Sequence, residues 1–182
     1  MGEPKHLLPV HGRPLLERAL AAACDAKLDE VVVVLGAHAD AIRHSVRLGR
    51  ARVVLNPDYS QGMSTSLKAG IDALDDDVTR VVVILGDQPD LSAEVVDRLL
   101  DTQEASGLPA AALSFDGLLH PPMVLARELW GEIDSLEGDV GLRALVRAHP
   151  ELVAAVPADS PGGHPLDIDT REDFELLAAD PA

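Results

Sequence analysis

The stretch Arg80–Leu91 reads RVVVILGDQPDL, and its reading decides the fold. The aliphatic run Val81 to Leu85 is unbroken and stops abruptly at Gly86 and Asp87. A short β-branched run closed by glycine is the mark of a strand buried in a parallel sheet. Glu30–Gly36 (EVVVVLG) repeats the pattern, and Ala51–Pro57 (ARVVLNP) supplies another strand. Asp87 stands directly off the end of the most apolar of these runs. A carboxylate there costs desolvation energy unless a cation or several donors meet it.

Working outward, helical spacing alternates with these strands. Pro14–Leu28 is a helix with proline in its first turn. Further helices are expected from His38 to Leu48, from about Ser64 to Leu74, and from a Ser92 cap to about Ser106. PAAALSF makes a strand, HPPMVLA reads as a proline-flanked edge strand, and a helix is expected around Arg127 to Ser135. Gly138–Ala148 holds a turn and helix, ELVAAVP and PLDIDT are two more strands, and Arg171–Ala179 closes the chain as a helix. This alternation predicts an α/β fold: a single domain over 1–182 with a mostly parallel sheet covered by helices on both faces. Ligands of such sheets bind outside the carboxyl ends of the strands. That rule singles out Gly36, Asn56–Pro57, Gly86–Pro89 and Asp167–Asp169.

Composition bounds the partners. With 31 acidic and 15 basic side chains the net charge is −16, which argues against electrostatic capture of nucleic acid or an anionic membrane. A polyphosphate ligand would need a divalent metal, backbone N–H donors or a local cationic pocket. No apolar run approaches the length that crosses a bilayer. The single cysteine, Cys24, excludes an internal disulfide and fits a reducing cytoplasm. Aromatic residues make up only 2% of the chain, so aliphatic side chains must fill the core.

Several segments carry candidate chemistry. Asp87 is either a ligand of Mg²⁺, shared with phosphate oxygens, or the cap of a turn. In PLDIDT the two-residue strand period points Asp167 and Asp169 to one face, where a cation would relieve their repulsion. The alternative is that Asp169 caps the last helix while Asp167 faces water. In NPDYSQGMSTSLKAG, Gly62 gives backbone freedom before a helix whose first turn offers hydroxyls and N–H groups to an anion or a base. An ordinary solvated cap is the competing reading. Asp139 and Arg143 stand one helical turn apart, as an ion pair or as contacts to a second substrate. His120 and His164 lie in loops.

Taken together, MGEPKHLLPVHGRPLL, NPDYSQGMSTSLKAGIDAL, VVVILGDQPDL, LEGDVGLRALV and LDIDTREDFELL resemble the MobA-like nucleotidyltransferases. Within these the chain is most similar to the molybdenum-cofactor cytidylyltransferases. The resemblance implies a Rossmann-like three-layer sandwich and a Mg²⁺-dependent transfer of CMP from CTP to a phosphorylated pterin, with release of pyrophosphate. It implies that Lys5 contacts the triphosphate and that Asp87, with Asp169 and Asp167, holds the metal. Asn56, Gly62, Ser64, Ser66 and Gln88 fall at nucleotide positions, and His120, Asp139 and Arg143 face the acceptor. A transferase using GTP or another acceptor, and a non-catalytic cofactor-binding accessory protein that serves a molybdoenzyme, are the competing readings.

The chain departs from the family pattern in a few places. Leu119 precedes His120 where glycine is usual, Tyr59 stands where tryptophan is common, and Arg171 replaces a proline. More substantially, members carry a strand and a glycine-rich loop ahead of the Met-Gly-x-Pro-Lys turn, and this sequence opens on the turn itself. The expectation is that the natural protein starts upstream of Met1, that the sheet here has a gap where that strand lies, and that this chain alone has poor solubility and little activity.

Overall fold

The computed structural model describes residues 4–158. Two short strands, β1 (Pro9–Val10) and β2 (Arg13–Pro14), form a hairpin that leads into helix α1 (Leu15–Asp25). Strand β3 (Val32–Leu35), helix α2 (Ala39–Ser45) and strand β4 (Arg52–Leu55) follow, with β3 and β4 paired in parallel. Helix α3 (Met63–Asp72), strand β5 (Arg80–Val83) and helix α4 (Ala93–Ser106) continue the alternation. The last described elements are β6 (Ala110–Phe115), β7 (Leu118–Ala126), α5 (Trp130–Asp134), α6 (Leu142–Ala148) and β8 (Val153–Pro157). Asp167, Asp169, His164 and the expected closing helix lie outside the described residues.

Four strands form one sheet in the order β5-β7-β6-β8. β6 and β8 are parallel, while β7 runs antiparallel to both β5 and β6. β5, β6 and β8 thus point one way and β7 alone is reversed. The segment expected as an edge strand, HPPMVLA, is instead interior. Its prolines are tolerated because the register slips there. Ala112 pairs with Met123 and Leu113 with His120, so Pro121 and Pro122 bulge out of the ladder where no amide donor is required.

Three alanines in succession, Ala110 to Ala112, sit at the centre of this sheet with no exposed surface. Their small side chains let helices pack close on either side. On one face Ala111, Leu113 and Val124 meet Val95, Val96, Leu99 and Leu100 of α4. On the other, Ala110, Ala112, Met123 and Leu125 meet Trp130 and Ile133 of α5 and Leu142, Leu145 and Val146 of α6. The two-residue period of the strands sorts these residues between two cores.

The sheet is interrupted. Among the described residues β3 pairs only with β4, and β5 only with β7. Helices bridge the break. Leu67 and Ile71 of α3 pack with Val81 and Val83, and Gly70 of the same helix lies against Val34 of β3. On the opposite face Ile84 joins the α4 cluster to the one that α1 and α2 build with β3. The most apolar run of the sequence is therefore only half-buried from Val81 to Leu85, where β5 has a strand neighbour on one side alone among the described residues.

α4 starts as the sequence indicates. Ser92 Oγ accepts the N–H of Val95, and hydrogen bonds from its own backbone and from Ser92 hold the Glu94 carboxyl below its usual range. A carboxyl lowered in the folded state contributes stability above its unfolded value and loses it as pH falls through the folded one. Ser92→Ala should cost about 1 kcal/mol in urea unfolding at neutral pH, with a smaller difference in acid. Leu99→Ala, in the centre of the same core, should cost about 2–5 kcal/mol with an unchanged urea slope.

Candidate active site

The carboxyl ends of the strands gather the residues singled out in the sequence. The turn after β5 brings Asp87 to Lys5, whose Nζ donates to Asp87 Oδ2 at 2.8 Å. These groups are 82 residues apart in the chain and both are mostly buried. Asp87 Oδ1 is also buried, and it has no hydrogen-bond partner among the described residues. A buried carboxylate oxygen without a donor is costly, and a hard cation is the group that such an oxygen suits. Among the described residues no cluster of three or more acidic, histidine or cysteine side chains stands ready for a metal. What Asp87 offers is one buried oxygen without a donor, of the kind that a divalent ion would take.

The turn itself is clamped. Gln88, only 5% exposed, donates from Nε2 to the Pro121 carbonyl at 2.9 Å and accepts the N–H of Leu85. Arg18 of α1 donates to the Pro89 carbonyl at 2.9 Å. Gln88 is thus a brace between β5 and β7 that fixes where Asp87 points. One residue before Pro121, His120 Nδ1 receives a contact from Arg143 Nη2 at 3.3 Å. A guanidinium only donates, so the ring proton of His120 sits on Nε2. A line of contacts runs from Lys5 through Asp87, Gln88 and Pro121 to His120 and Arg143.

Around β4 and α3 the residues are just as tightly tied. Asn56, 4% exposed, donates to Thr65 Oγ1 at 2.8 Å and Ser66 Oγ at 3.0 Å, and accepts the N–H of Asp58. Its amide therefore holds the start of α3 against the end of β4. The cap of α3 differs from the expected serine and threonine cap. Gly62 takes the cap position and provides no side chain. The N–H of Met63 reaches Asp139 Oδ1 at 3.3 Å, and the N–H of Ser64 donates to the Gly138 carbonyl at 3.1 Å. The loop before α6 thereby caps a helix more than seventy residues upstream, occupying amides that the sequence offers to an anion. Gly62 is required twice: its φ is +116°, and an added Cβ would stand 2.2 Å from the Gly138 carbonyl carbon.

His6, quoted in the opening motif but not singled out there, belongs to the site. Burial pushes its pKa below the ordinary histidine value, against the pull of Asp87 and with a smaller push from Lys5. The ring is neutral at pH 7. Its position directly after Lys5 was the only signal in the sequence. Thr65, which the sequence motifs do not single out, also ties the two loops: its hydroxyl donates to the Gly62 carbonyl while accepting from Asn56.

A sequence profile described as the MobA-like NTP transferase domain matches residues 1–166. The chain belongs to this family. It is a nucleotidyltransferase domain, and the relatives named below share that frame over most of their length. Nicotine blue oxidoreductase of Paenarthrobacter nicotinovorans is 37% identical over 96% of this chain and 87% of its own. The crystal structure of the Mycobacterium sp. strain JC1 homologue of Mycobacterium tuberculosis Rv0371c superposes with a TM-score of 0.84 at 31% identity, covering 98% of this chain and 88% of that one. Rv0371c itself, in a complex with manganese, gives a TM-score of 0.82 at 27% identity over 98% and 94% of the two chains. These matches agree with the Rossmann-like α/β nucleotidyltransferase sandwich. Among the described residues no helix is long and apolar enough to cross a membrane.

Gly62→Ala should push the 138–139 loop off the start of α3. The expected loss is about 1–3 kcal/mol in urea unfolding, from strain and a displaced backbone contact together. Faster amide hydrogen exchange at Met63 and Ser64 should accompany it, while exchange in α4 stays unchanged.

Proposed function

We propose that the protein is a divalent-metal-dependent cytidylyltransferase that joins CMP from CTP to the terminal phosphate of a molybdopterin-type cofactor. An oxygen of the acceptor phosphate attacks the α-phosphorus. The bond from that phosphorus to the bridging oxygen breaks, and pyrophosphate leaves with the electron pair. The observation that carries this reading is the Lys5–Asp87 pair at the end of β5, with the second Asp87 oxygen buried and without a donor.

Each residue then has a task. Asp87 Oδ1 is the protein oxygen that would hold the divalent ion, with Asp169 or Asp167 as its second carboxylate. Bound there, Mg²⁺ supplies charge neutralisation for the triphosphate and the leaving pyrophosphate. Lys5 shares itself between Asp87 and a phosphate oxygen, so developing charge meets an ammonium already in place. Gln88 and Asn56 act through geometry, fixing the two loops between which the nucleotide lies, together with Gly62, Ser64 and Ser66. Arg143 and His120 present a cation and an N–H donor to the acceptor phosphate, while Asp139 holds α6's leading loop against α3. This chemistry needs placement and charge compensation more than a covalent partner. Its setting is the cytoplasm.

The test is single-turnover pyrophosphate release with CTP and with GTP, acceptor present. CTP should be preferred, and Asp87→Asn and Lys5→Ala should each slow release by about a hundredfold or more. Equal turnover by Asp87→Asn and the parent chain would end the metal-assisted reading. A second reading, electron transfer, draws only on the name of the Paenarthrobacter relative. Reduction of nicotine blue by a nicotinamide donor in the presence of this chain would favour it.

A further inference from the structure

We infer that Tyr59 is the platform on which the nucleobase of the triphosphate stacks. The inference rests on the nucleotidyl-transfer reading given above and adds to it a residue that reads the base rather than the phosphates.

The chain holds one tyrosine, one tryptophan and two phenylalanines. A sequence so poor in aromatic rings gains most by burying them, and Trp130 is buried accordingly. Tyr59 is the exception: it stays 48% exposed, and its hydroxyl has no hydrogen-bond partner among the described residues. It is nonetheless firmly held. The 3₁₀ turn Tyr59–Gln61 is closed by the Gln61 N–H on the Asp58 carbonyl at 2.9 Å and by Gln61 Nε2 on Asp58 Oδ1 at 2.7 Å. Buried Asn56 in turn accepts the N–H of Asp58 at 2.9 Å. The root of the ring also fills a place kept bare for it. A Cβ added to Gly36 would collide with Tyr59 Cβ and stand 2.7 Å from Cγ and 3.2 Å from Cδ1. An exposed ring that is braced by its own loop and by a glycine across from it is preorganised for stacking.

Its place in the fold selects the ligand. Gly36 follows β3 at the carboxyl end of the strands, and the Asn56 N–H ties the end of β4 to the Leu35 carbonyl at 2.8 Å. Leu7 packs on the same cluster as Leu35, Ala39 and Ile42, so the turn Lys5–Leu7 lies beside this segment. That turn carries the ammonium bound to Asp87. Lys5 and a divalent ion recognise any polyphosphate by charge. The Tyr59 ring adds what they lack, an uncharged flat surface for a base, and the net charge of −16 does not oppose stacking. Tyr59 therefore separates a nucleotide from a bare polyphosphate.

The experiment measures binding of a non-hydrolysable CTP analogue and of inorganic tripolyphosphate to the full chain in Mg²⁺ by calorimetry. Because Tyr59 is the only tyrosine, ¹³C-tyrosine labelling reports its ring alone by NMR. The CTP analogue should shift those ring resonances upfield, and tripolyphosphate should not. Tyr59→Ala should weaken the analogue by about tenfold and leave tripolyphosphate unchanged, while Tyr59→Phe, which keeps the ring, binds nearly as the parent does. Equal losses for both ligands in Tyr59→Ala, or ring resonances that stay put when the analogue binds, overturn the inference. If Asp87→Asn weakens both ligands while Tyr59→Ala changes nothing, this inference fails and the metal reading of Asp87 stands. A parent chain that binds neither ligand overturns both. Should Tyr59→Ala not fold, the ring resonances of the parent chain decide.

Discussion

Two pieces of sheet that share no strand pairing among the described residues are held in one frame by helices on both faces. That constraint shapes everything at the functional end. In a continuous sheet, ladder hydrogen bonds fix the relative height of neighbouring strand ends. Among the described residues β3 and β5 are aligned through side-chain packing: α3 lies against Val34 and packs on the same cluster as Val81, and Ile84 links the clusters on the other face. Packing is less directional than a ladder, so loop-to-loop contacts must supply the missing precision. The Lys5–Asp87 bond and the Gly62–Gly138 approach are two such contacts.

This explains why so many polar residues near the site are occupied with one another. Asn56 and Gln88 are among the most buried polar side chains described, and each has its amide engaged on both sides. Their role is to hold loops that would otherwise drift. The side chains with capacity left over are different ones. Among them Asp87 keeps a buried oxygen in reserve. Reserve capacity in a buried place is the physical sign of a ligand, because structure alone would have satisfied it.

Much of the fold is legible in the sequence because it rests on local pattern. The runs EVVVVLG, ARVVLNP and RVVVILG became strands, and Ser92 capped its helix where expected. HPPMVLA was misjudged because proline argues against an interior strand, and only the pairing register reveals the bulge that accommodates it. The cap of α3 was illegible for a different reason. Its donors are met by Gly138 and Asp139, and no short window of sequence contains both partners. Lys5 and Asp87 were found through motif order, whereas His6 carries no motif of its own. Its significance arises only from Gly86, a residue eighty positions away that makes room for its ring.

Electrostatics adds a coupling to the proposed reaction. The chain carries a net charge of −16, and a triphosphate brings several more negative charges to it. Lys5 is the ammonium at the centre of the site, and Asp87 already shares its charge at 2.8 Å. A phosphate and Asp87 thus compete for one cation. A divalent ion held by Asp87 Oδ1, as proposed, would relieve that competition by lowering the carboxylate's demand on Lys5. By linkage, the ion must then raise the affinity for triphosphate by the same factor that triphosphate raises the affinity for the ion. On that reading an acidic protein would bind the two together better than either one separately. The protein's own share of the coordination, Asp87 with Asp169 or Asp167 as proposed, could then stay small, because the nucleotide would bring phosphate oxygens to the same ion.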